Sequence, residues 1–259
     1  MFTPLPDTII IGRALRHVAQ TGSTNDDLKL LARGGAAEGS VLVADEQTAG
    51  RGRLGRSWLA PPGENLLCSV LLRPTWLPAT QSWALTLLAA VAAAEGIAAA
   101  TGIAPTLKWP NDLEVDGRKL GGILAEAEVR DAQITWAVIG LGLNLNWRPL
   151  APPDLAARTV SLHELTNAAV DRVVVCAAVL RRLDHWYALL RLGALDALRT
   201  AWERRLTTLG QRITATTPGG TLVGSAEAVD AEGGLIVRTA DGQRHTLHAG
   251  EVTVRVADR

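Results

Sequence analysis

The pattern of apolar and polar positions changes texture once along the chain. Up to about residue 206, short apolar runs alternate with helical patterns; from Gln211 to Arg255 only short β-runs remain. Thr8–Ile11 predicts a short first strand. Gly22-Ser23-Thr24-Asn25-Asp26-Asp27 then offers several N-cap residues, and Leu28, Leu31 and Ala32 carry a short helix that stops at Gly34-Gly35. Val41–Ala44 and Leu66–Leu72 read as apolar strands on either side of a polar loop, Gln47–Asn65, rich in Gly, Arg and Pro. An alanine-rich helix follows at 80–100. Thr106–Trp109 reads as a strand entering Pro110-Asn111-Asp112. A hairpin follows, Leu113–Val115 and Arg118 onward, turning at Asp116-Gly117. Ile123–Glu128 and Ile134–Asn146 are two long strands joined near Arg130-Asp131, and helical pattern returns over 159–206 with Asp171 as a cap.

The last stretch is punctuated by Pro218-Gly219-Gly220, Gly233-Gly234 and Asp241-Gly242, which predicts a small β-barrel. A boundary near residue 207 separates a larger domain, 1–206, from a smaller one, 207–259. For a chain of 259 residues, one large plus one small domain is an ordinary division.

Gly50-Arg51-Gly52-Arg53-Leu54-Gly55 formally matches the dinucleotide-binding pattern G-x-G-x-x-G. That pattern requires a helix opening at the third glycine and an acidic residue roughly 20 positions on. Here Pro61-Pro62 follow closely, and residues 66–94 contain no acid. The dinucleotide reading fails on both counts. What remains is a loop whose glycines permit close backbone approach and whose arginines suit phosphate oxygens; a solvated surface turn fits the hexapeptide equally well.

Composition narrows the function classes. With 47% hydrophobic residues the chain can bury a substantial core, and 26 basic against 26 acidic residues give no net charge. Neutrality argues against non-specific nucleic-acid or membrane-surface binding as the main role. Cys68 and Cys176 show neither disulfide-scaffold nor zinc spacing, and MFTPLPDTIIIGR lacks signal-peptide grammar. Ser82–Ala100, interrupted by Glu95-Gly96, reads as a buried helix, so a soluble cytoplasmic protein is expected. Within the neutral total, only three of the 26 basic residues are lysine: Lys29, Lys108 and Lys119. Two of the three fall in Lys108-Trp109-Pro110-Asn111-Asp112 and Arg118-Lys119-Leu120-Gly121-Gly122, and scarce asparagines sit at Asn25, Asn111, Asn144 and Asn146. A compact ammonium is not interchangeable with a guanidinium, so these positions are candidates for chemistry.

Five ordered segments carry a resemblance. Ser23-Thr24-Asn25, Gln47 to Trp58, Lys108 to Asp112, Arg118 to Leu124 and Gly140-Leu141-Gly142-Leu143-Asn144 resemble, in order and across essentially the whole chain, the biotin protein ligases. The resemblance implies an α+β catalytic domain like that of class II aminoacyl-tRNA synthetases and biotin or lipoate ligases. Its sheet would be mixed or antiparallel and flanked by helices, followed by a small SH3-like barrel. It also implies activation of biotin with ATP and Mg2+ as biotinyl-5′-AMP. Biotin then passes to a lysine of a biotin carboxyl carrier domain, as in acetyl-CoA carboxylase.

By the same resemblance, Ser23, Thr24, Asn25, Gln47, Gly122 and Gly140 would meet biotin, with Arg51, Gly52 and Arg53 in a loop folding over biotin and adenylate. Lys119 would contact the biotin carboxylate and α-phosphate. Arg56, Trp58, Lys108, Asn111 and Asn144, with Arg51, Arg53 and Lys119, would face the nucleotide. Lys119, Arg53 and Asp112 are the implied catalytic residues. Asp112 is a candidate for orienting or deprotonating the acceptor amine, or for helping to place metal; no metal ligands are assigned. Only 22 residues precede Ser23, so no DNA-binding domain is expected, and a homodimer through a sheet edge is in keeping with the family. Read from residues alone, Ser23-Thr24-Asn25 is also a plain helix cap, Trp58 a packing residue and Lys119 an exposed charge beside a turn. Lipoate ligation or octanoyl transfer, and a non-catalytic nucleotide- or nucleic-acid-binding module, are the alternatives. The Gly-Arg-Gly-Arg-Leu-Gly-Arg loop weighs against the first, and zero net charge with the paired lysine motifs against the second. No ATP-facing arginine is assigned among Arg212, Arg238, Arg244 and Arg255.

Overall fold

A computed structural model describes residues 1–217 and 219–249, and the backbone of 253–256. Pro218 of the expected turn and the Arg255 side chain lie outside the described residues. Seven strands form the larger sheet: β1 (Leu15–Thr21), β2 (Val41–Gln47), β3 (Leu66–Leu72), β4 (Thr106–Lys108), β5 (Asp112–Val115), β6 (Arg118–Arg130) and β7 (Gln133–Leu143), in the order β1-β2-β3-β7-β6-β5-β4. Only β1 and β2 run parallel; every other pair is antiparallel, so the sheet is mixed.

Both faces of this sheet are covered, which is why all seven residues of β3 are buried rather than alternating. One face packs on α2 (Trp83–Thr101) and α5 (Arg172–Arg191). A side chain at Gly96 would come within 2.5 Å of the Val179 backbone, so the glycine lets these helices touch. By length and composition α2 could cross a membrane, yet most of it is packed inside this core. On the other face lies α1 (Thr24–Arg33), whose Leu28 and Ala32 meet Leu42, Leu71 and Val138. Ser23 caps α1 by accepting the Asp26 N–H, and Gly34 ends it.

The hairpin turns are as expected. Asp116 and Gly117 both have positive φ, which matches the twist of the flanking strands, and so do Asp131 and Ala132 at the next turn. Thr8–Ile11 is not a strand. The Asp184 carboxylate accepts the consecutive amide N–H groups of Ile9, Ile10 and Ile11 at 2.7–2.8 Å, and a strand cannot aim three successive amides at one group. The first strand begins at Leu15 instead. The helical stretch after β7 is four pieces: α3 (Pro153–Ala157), α4 (Leu162–Thr166), α5 and α6 (Leu195–Glu203), with Asn167 and Gly193 at positive φ between pieces. Asp171 caps α5 by accepting from Val173 N.

Five further strands make a smaller antiparallel sheet: β8 (Arg212–Thr217), β9 (Gly220–Val229), β10 (Leu235–Arg238), β11 (Arg244–Leu247) and β12 (Thr253–Val256), in the order β11-β10-β9-β8-β12. Cys68 and Cys176 are both free and buried.

Candidate active site

Alternation along two neighbouring strands opens the site. On β7, Ile139, Leu141 and Leu143 point into the core under α2, so Gly140 and Gly142 face the α1 side. On β6, Gly122 faces the same side beside Gly140 and Gly142. Glycines at these places leave a hollow where side chains would have stood. The hollow is a cavity of about 540 Å3, within the usual range for small-molecule sites.

A bulge between β5 and β6 brings the lysine into it. Leu113 pairs with Gly121, but Glu114 pairs with Lys119, leaving Leu120 as the extra residue. Strict alternation from Gly122 would turn Lys119 towards the core. The bulge instead buries Leu120 and aims Lys119 at the cavity. Lys119 Nζ reaches Asp112 Oδ1 at 2.6 Å and stands 5.7 Å from the centroid of the Trp58 ring. Its main chain is held from the far side, where Lys119 N donates to Arg158 O and Val160 N donates to Lys119 O.

At one end the cavity is lined by the α1 cap. Thr24 N and Oγ1 both donate to Gln47 Oε1, at 2.8 and 2.9 Å. Asn25 Nδ2 donates to Glu126 Oε2 and Leu124 O, which turns its Oδ1 towards the Ser69 hydroxyl at 2.6 Å. Gly140 is required beneath it, since a Cβ there would lie 2.4 Å from Asn25 Oδ1. Ser23, Thr24 and Asn25 thus cap the helix and line the cavity together.

The glycine-arginine loop lies over this hollow. It makes a 3-10 turn at Arg53–Gly55, closed by pairing of Arg51 with Ser57, and no helix of the dinucleotide type. Arg51 ion-pairs with Asp26 at 2.6 Å and Glu126 at 3.3 Å. Arg53 donates to Asn111 Oδ1, and burial pulls its guanidinium below its ordinary value, an effect that Asp112 opposes and Arg56 reinforces. Gly52, Arg56 and Trp58 also line the cavity. The Trp58 indole lies on Gly142, where a Cβ would come within 2.6 Å of the ring, and its buried Nε1 has no partner among the described residues.

Lys108 Nζ sits 3.2 Å from Glu114 Oε1. Burial pushes the Glu114 carboxyl above the ordinary carboxylate range, and Lys108 only partly counters it. Asn111 Nδ2 donates to Ile123 O, which fixes the turn between β4 and β5. Among the described residues no three His, Cys, Asp or Glu side chains cluster as a metal site.

Residues 18–144 match the biotin/lipoate A/B protein ligase family, and residues 208–255 match the biotin protein ligase C terminal domain. The biotin--[acetyl-CoA-carboxylase] ligase of Mycobacterium tuberculosis is 39% identical over 246 residues, covering 93% of this chain and 88% of that protein. The chain belongs to the biotin protein ligase family. The bifunctional ligase/repressor BirA of Bacillus subtilis is 35% identical over 236 residues, 91% of this chain and 72% of that protein. Among solved structures, the biotin protein ligase from Aquifex aeolicus in complex with biotin and ATP matches with a TM-score of 0.80 at 28% identity. That match covers 95% of this chain and 100% of the other. The fold is therefore the α+β ligase fold with its small C-terminal sheet.

Every residue singled out from the ligase motifs lines the one cavity: Ser23, Thr24, Asn25, Gln47, Arg51, Gly52, Arg53, Arg56, Trp58, Lys108, Asn111, Asp112, Lys119, Gly122, Gly140 and Asn144. Their surroundings differ. Asn144 is buried, with Nδ2 donating to Val160 O and Oδ1 accepting from Asn65, so its amide is already engaged. The third lysine, Lys29, is spent on Asp26 and Glu126 at 2.8 Å each. The sequence reading missed Ser69, Glu126, Arg158 and Thr159. Ser69 and Glu126 hold Asn25, whereas Arg158 and Thr159 edge the cavity beside Lys119. None stands in a recognisable motif, so only the tertiary register reveals them. Arg238 and Arg244 both pair with Glu227 on the smaller sheet.

Proposed function

We propose that the cavity joins biotin to ATP as biotinyl-5′-AMP, releasing pyrophosphate, and then passes biotin to a lysine of a carboxyl carrier domain. In the first step a carboxylate oxygen of biotin attacks the α-phosphorus while the bond to pyrophosphate breaks. In the second, the acceptor amine attacks the acyl carbon and AMP leaves. Both steps bring anionic oxygens together, and fixed positive charge facing them lowers the barrier without reorganising at the moment of reaction. The observation that carries the reading is Lys119. The β-bulge delivers its ammonium into a hollow with the Thr24–Gln47 network at one end and the Trp58 ring beside it.

In this reading Ser23, Thr24, Asn25 and Gln47 present hydrogen-bonding groups to the biotin head, and Gly122 and Gly140 make room for it. Lys119 faces the carboxylate and α-phosphate, with Arg51, Arg53 and Arg56 closing over the adenylate from the loop. Trp58 offers a flat face to the base, Lys108, Asn111 and Asn144 edge the nucleotide, and Asp112 holds Lys119 and stands ready for the acceptor amine. Magnesium enters as the chelate of ATP. Among the described residues, Asp112 and Glu114 are the carboxylates that line the cavity, and each is already paired with a lysine, so at most one or two carboxylates stand beside the phosphate oxygens of such a chelate. We extend the reading to a cytoplasmic enzyme with a domain junction near residue 207, and to a homodimer, for which β1 supplies an open sheet edge. The repressor role in the Bacillus relative's name is not part of it.

The test is incubation with Mg-ATP and biotin, lipoate or octanoate, following pyrophosphate release. A biotin carboxyl carrier domain is then added and weighed by mass spectrometry. Pyrophosphate release and one added biotinyl group with biotin alone are expected. Modification by lipoate or octanoate in place of biotin would overturn the reading.

A further inference from the structure

Strand β4 is three residues long and sits at the edge of the larger sheet, beside β5. So short an edge strand has few ladder hydrogen bonds to fix its direction, yet it leads directly into Trp109-Pro110-Asn111-Asp112. The missing support comes from the chain entering the C-terminal sheet. Leu107 N donates to Arg205 O and Thr207 N donates to Leu107 O, both at 2.8 Å, so the two segments run side by side at Leu107 and Leu206. One step further on, the Thr208 hydroxyl accepts the Trp109 N–H at 2.9 Å. Trp109 Nε1 in turn donates to Gly233 O at 3.1 Å, in the turn between β9 and β10. Thr208 is wholly buried and Trp109 nearly so.

Both N–H groups of Trp109 are therefore bound to the C-terminal part of the chain, while its neighbours on either side serve the cavity. Lys108 meets Glu114, Asn111 accepts from Arg53, and Asp112 holds Lys119. A buried backbone N–H must have an acceptor, and here the acceptor is a side chain, so its removal cannot be made good by the β-ladder. We propose that Thr208 is a positioning residue. Its hydroxyl fixes the backbone at Trp109, and through it the placement of its neighbours Lys108 and Asn111, tying the C-terminal sheet to the nucleotide side of the site. The proposal rests on the ligase reading above.

Thr208→Val keeps the shape and removes the acceptor, whereas Thr208→Ser keeps the acceptor. In biotin-dependent pyrophosphate exchange, Thr208→Val is expected to raise the KM for ATP about tenfold and lower kcat, as for a buried donor left unsatisfied. Biotin affinity, measured by titration calorimetry, is expected to stay at the wild-type value, because Ser23, Thr24 and Gln47 are held by α1 and β2. Thr208→Ser is expected to restore the ATP KM. Wild-type ATP kinetics in Thr208→Val would overturn the proposal, as would parallel loss of biotin and ATP binding. Should Thr208→Val not fold, Thr208→Ala removes the same acceptor with a smaller side chain, and unchanged ATP kinetics there would overturn it equally. Absence of biotin-dependent exchange in the wild-type protein would instead sink the ligase reading and this proposal with it.

Discussion

Lys119 Nζ stands 2.6 Å from Asp112 Oδ1, a pair assembled by the bulge that leaves Leu120 without a partner on β5. The lysine is one-third exposed and the aspartate one-quarter, so the pair opens on the cavity and contributes little to folding. Asp112 holds the ammonium in place without burying it. Geometry of this kind suits a charge that must meet incoming anions.

Lys119→Ala is accordingly expected to lower adenylate formation by about two to three orders of magnitude, in line with removal of one fixed group that stabilises transition-state charge. Melting temperature should change little. Pyrophosphate exchange and a thermal melt on the same preparation check both halves. Near-normal exchange would remove Lys119 from its role.

In the proposed reading, two glycines divide the cavity between biotin and ATP. A Cβ at Gly140 would strike Asn25 Oδ1 at 2.4 Å, and one at Gly142 would strike the Trp58 ring at 2.6 Å. Gly140→Ala is expected to weaken biotin binding at least about tenfold by displacing an amide that Leu124 O, Glu126 and Ser69 hold in place. Gly142→Ala should raise the KM for ATP and leave biotin affinity near wild type. Calorimetry with biotin and steady-state kinetics with ATP separate them; the same effect of both variants on both ligands would contradict the division.

What was legible beforehand was local. The Ser23 cap, the Asp116-Gly117 turn, the Asp171 cap and the bounds of β3 each depend on a few adjacent residues. The motif residues were legible too, and the fold brings them to one cavity. Long-range register was not. Alternation counted back from Gly122 would have put Lys119 in the core, because a bulge has no reliable signature in one strand alone. Thr8–Ile11 has the apolar run of a strand, but its amides are claimed by Asp184, far along the chain on α5. Asn144 stood out as rare, and nothing nearby in sequence shows that Val160 O takes its amide.

Glu114 is a buried carboxylate whose charge the fold disfavours. Desolvation raises its pKa above the ordinary 4.5, against the pull of Lys108. A carboxyl with a raised folded pKa adds stability below the unfolded value, and that contribution is lost as pH rises through the folded value. Glu114→Gln does not titrate there. Its melting temperature relative to the parent is therefore expected to improve from pH 4 to pH 7. A shift in the opposite direction would mean that the Lys108 pair outweighs burial.

Arg51 anchors the loop through carboxylates on two different elements, Asp26 on α1 and Glu126 on β6, and Lys29 bridges the same two. Burial alone would raise the Glu126 pKa. The Lys29 ammonium and the Asn25 amide outweigh it, with Arg51 adding to them, so the carboxyl titrates below 4.5. With the folded pKa depressed, the contribution of the network is present at neutral pH and lost as pH falls through the folded value. Glu126→Gln should mimic that loss at pH 7. Because Arg51 is more than one-third exposed, the effect is modest, about two- to fivefold faster tryptic cleavage after Arg51, Arg53 or Arg56. High salt should accelerate cleavage of the parent towards the variant's rate and change the variant less. Equal cleavage of parent and variant at low salt would show that the loop is held by its backbone pairing and not by these charges.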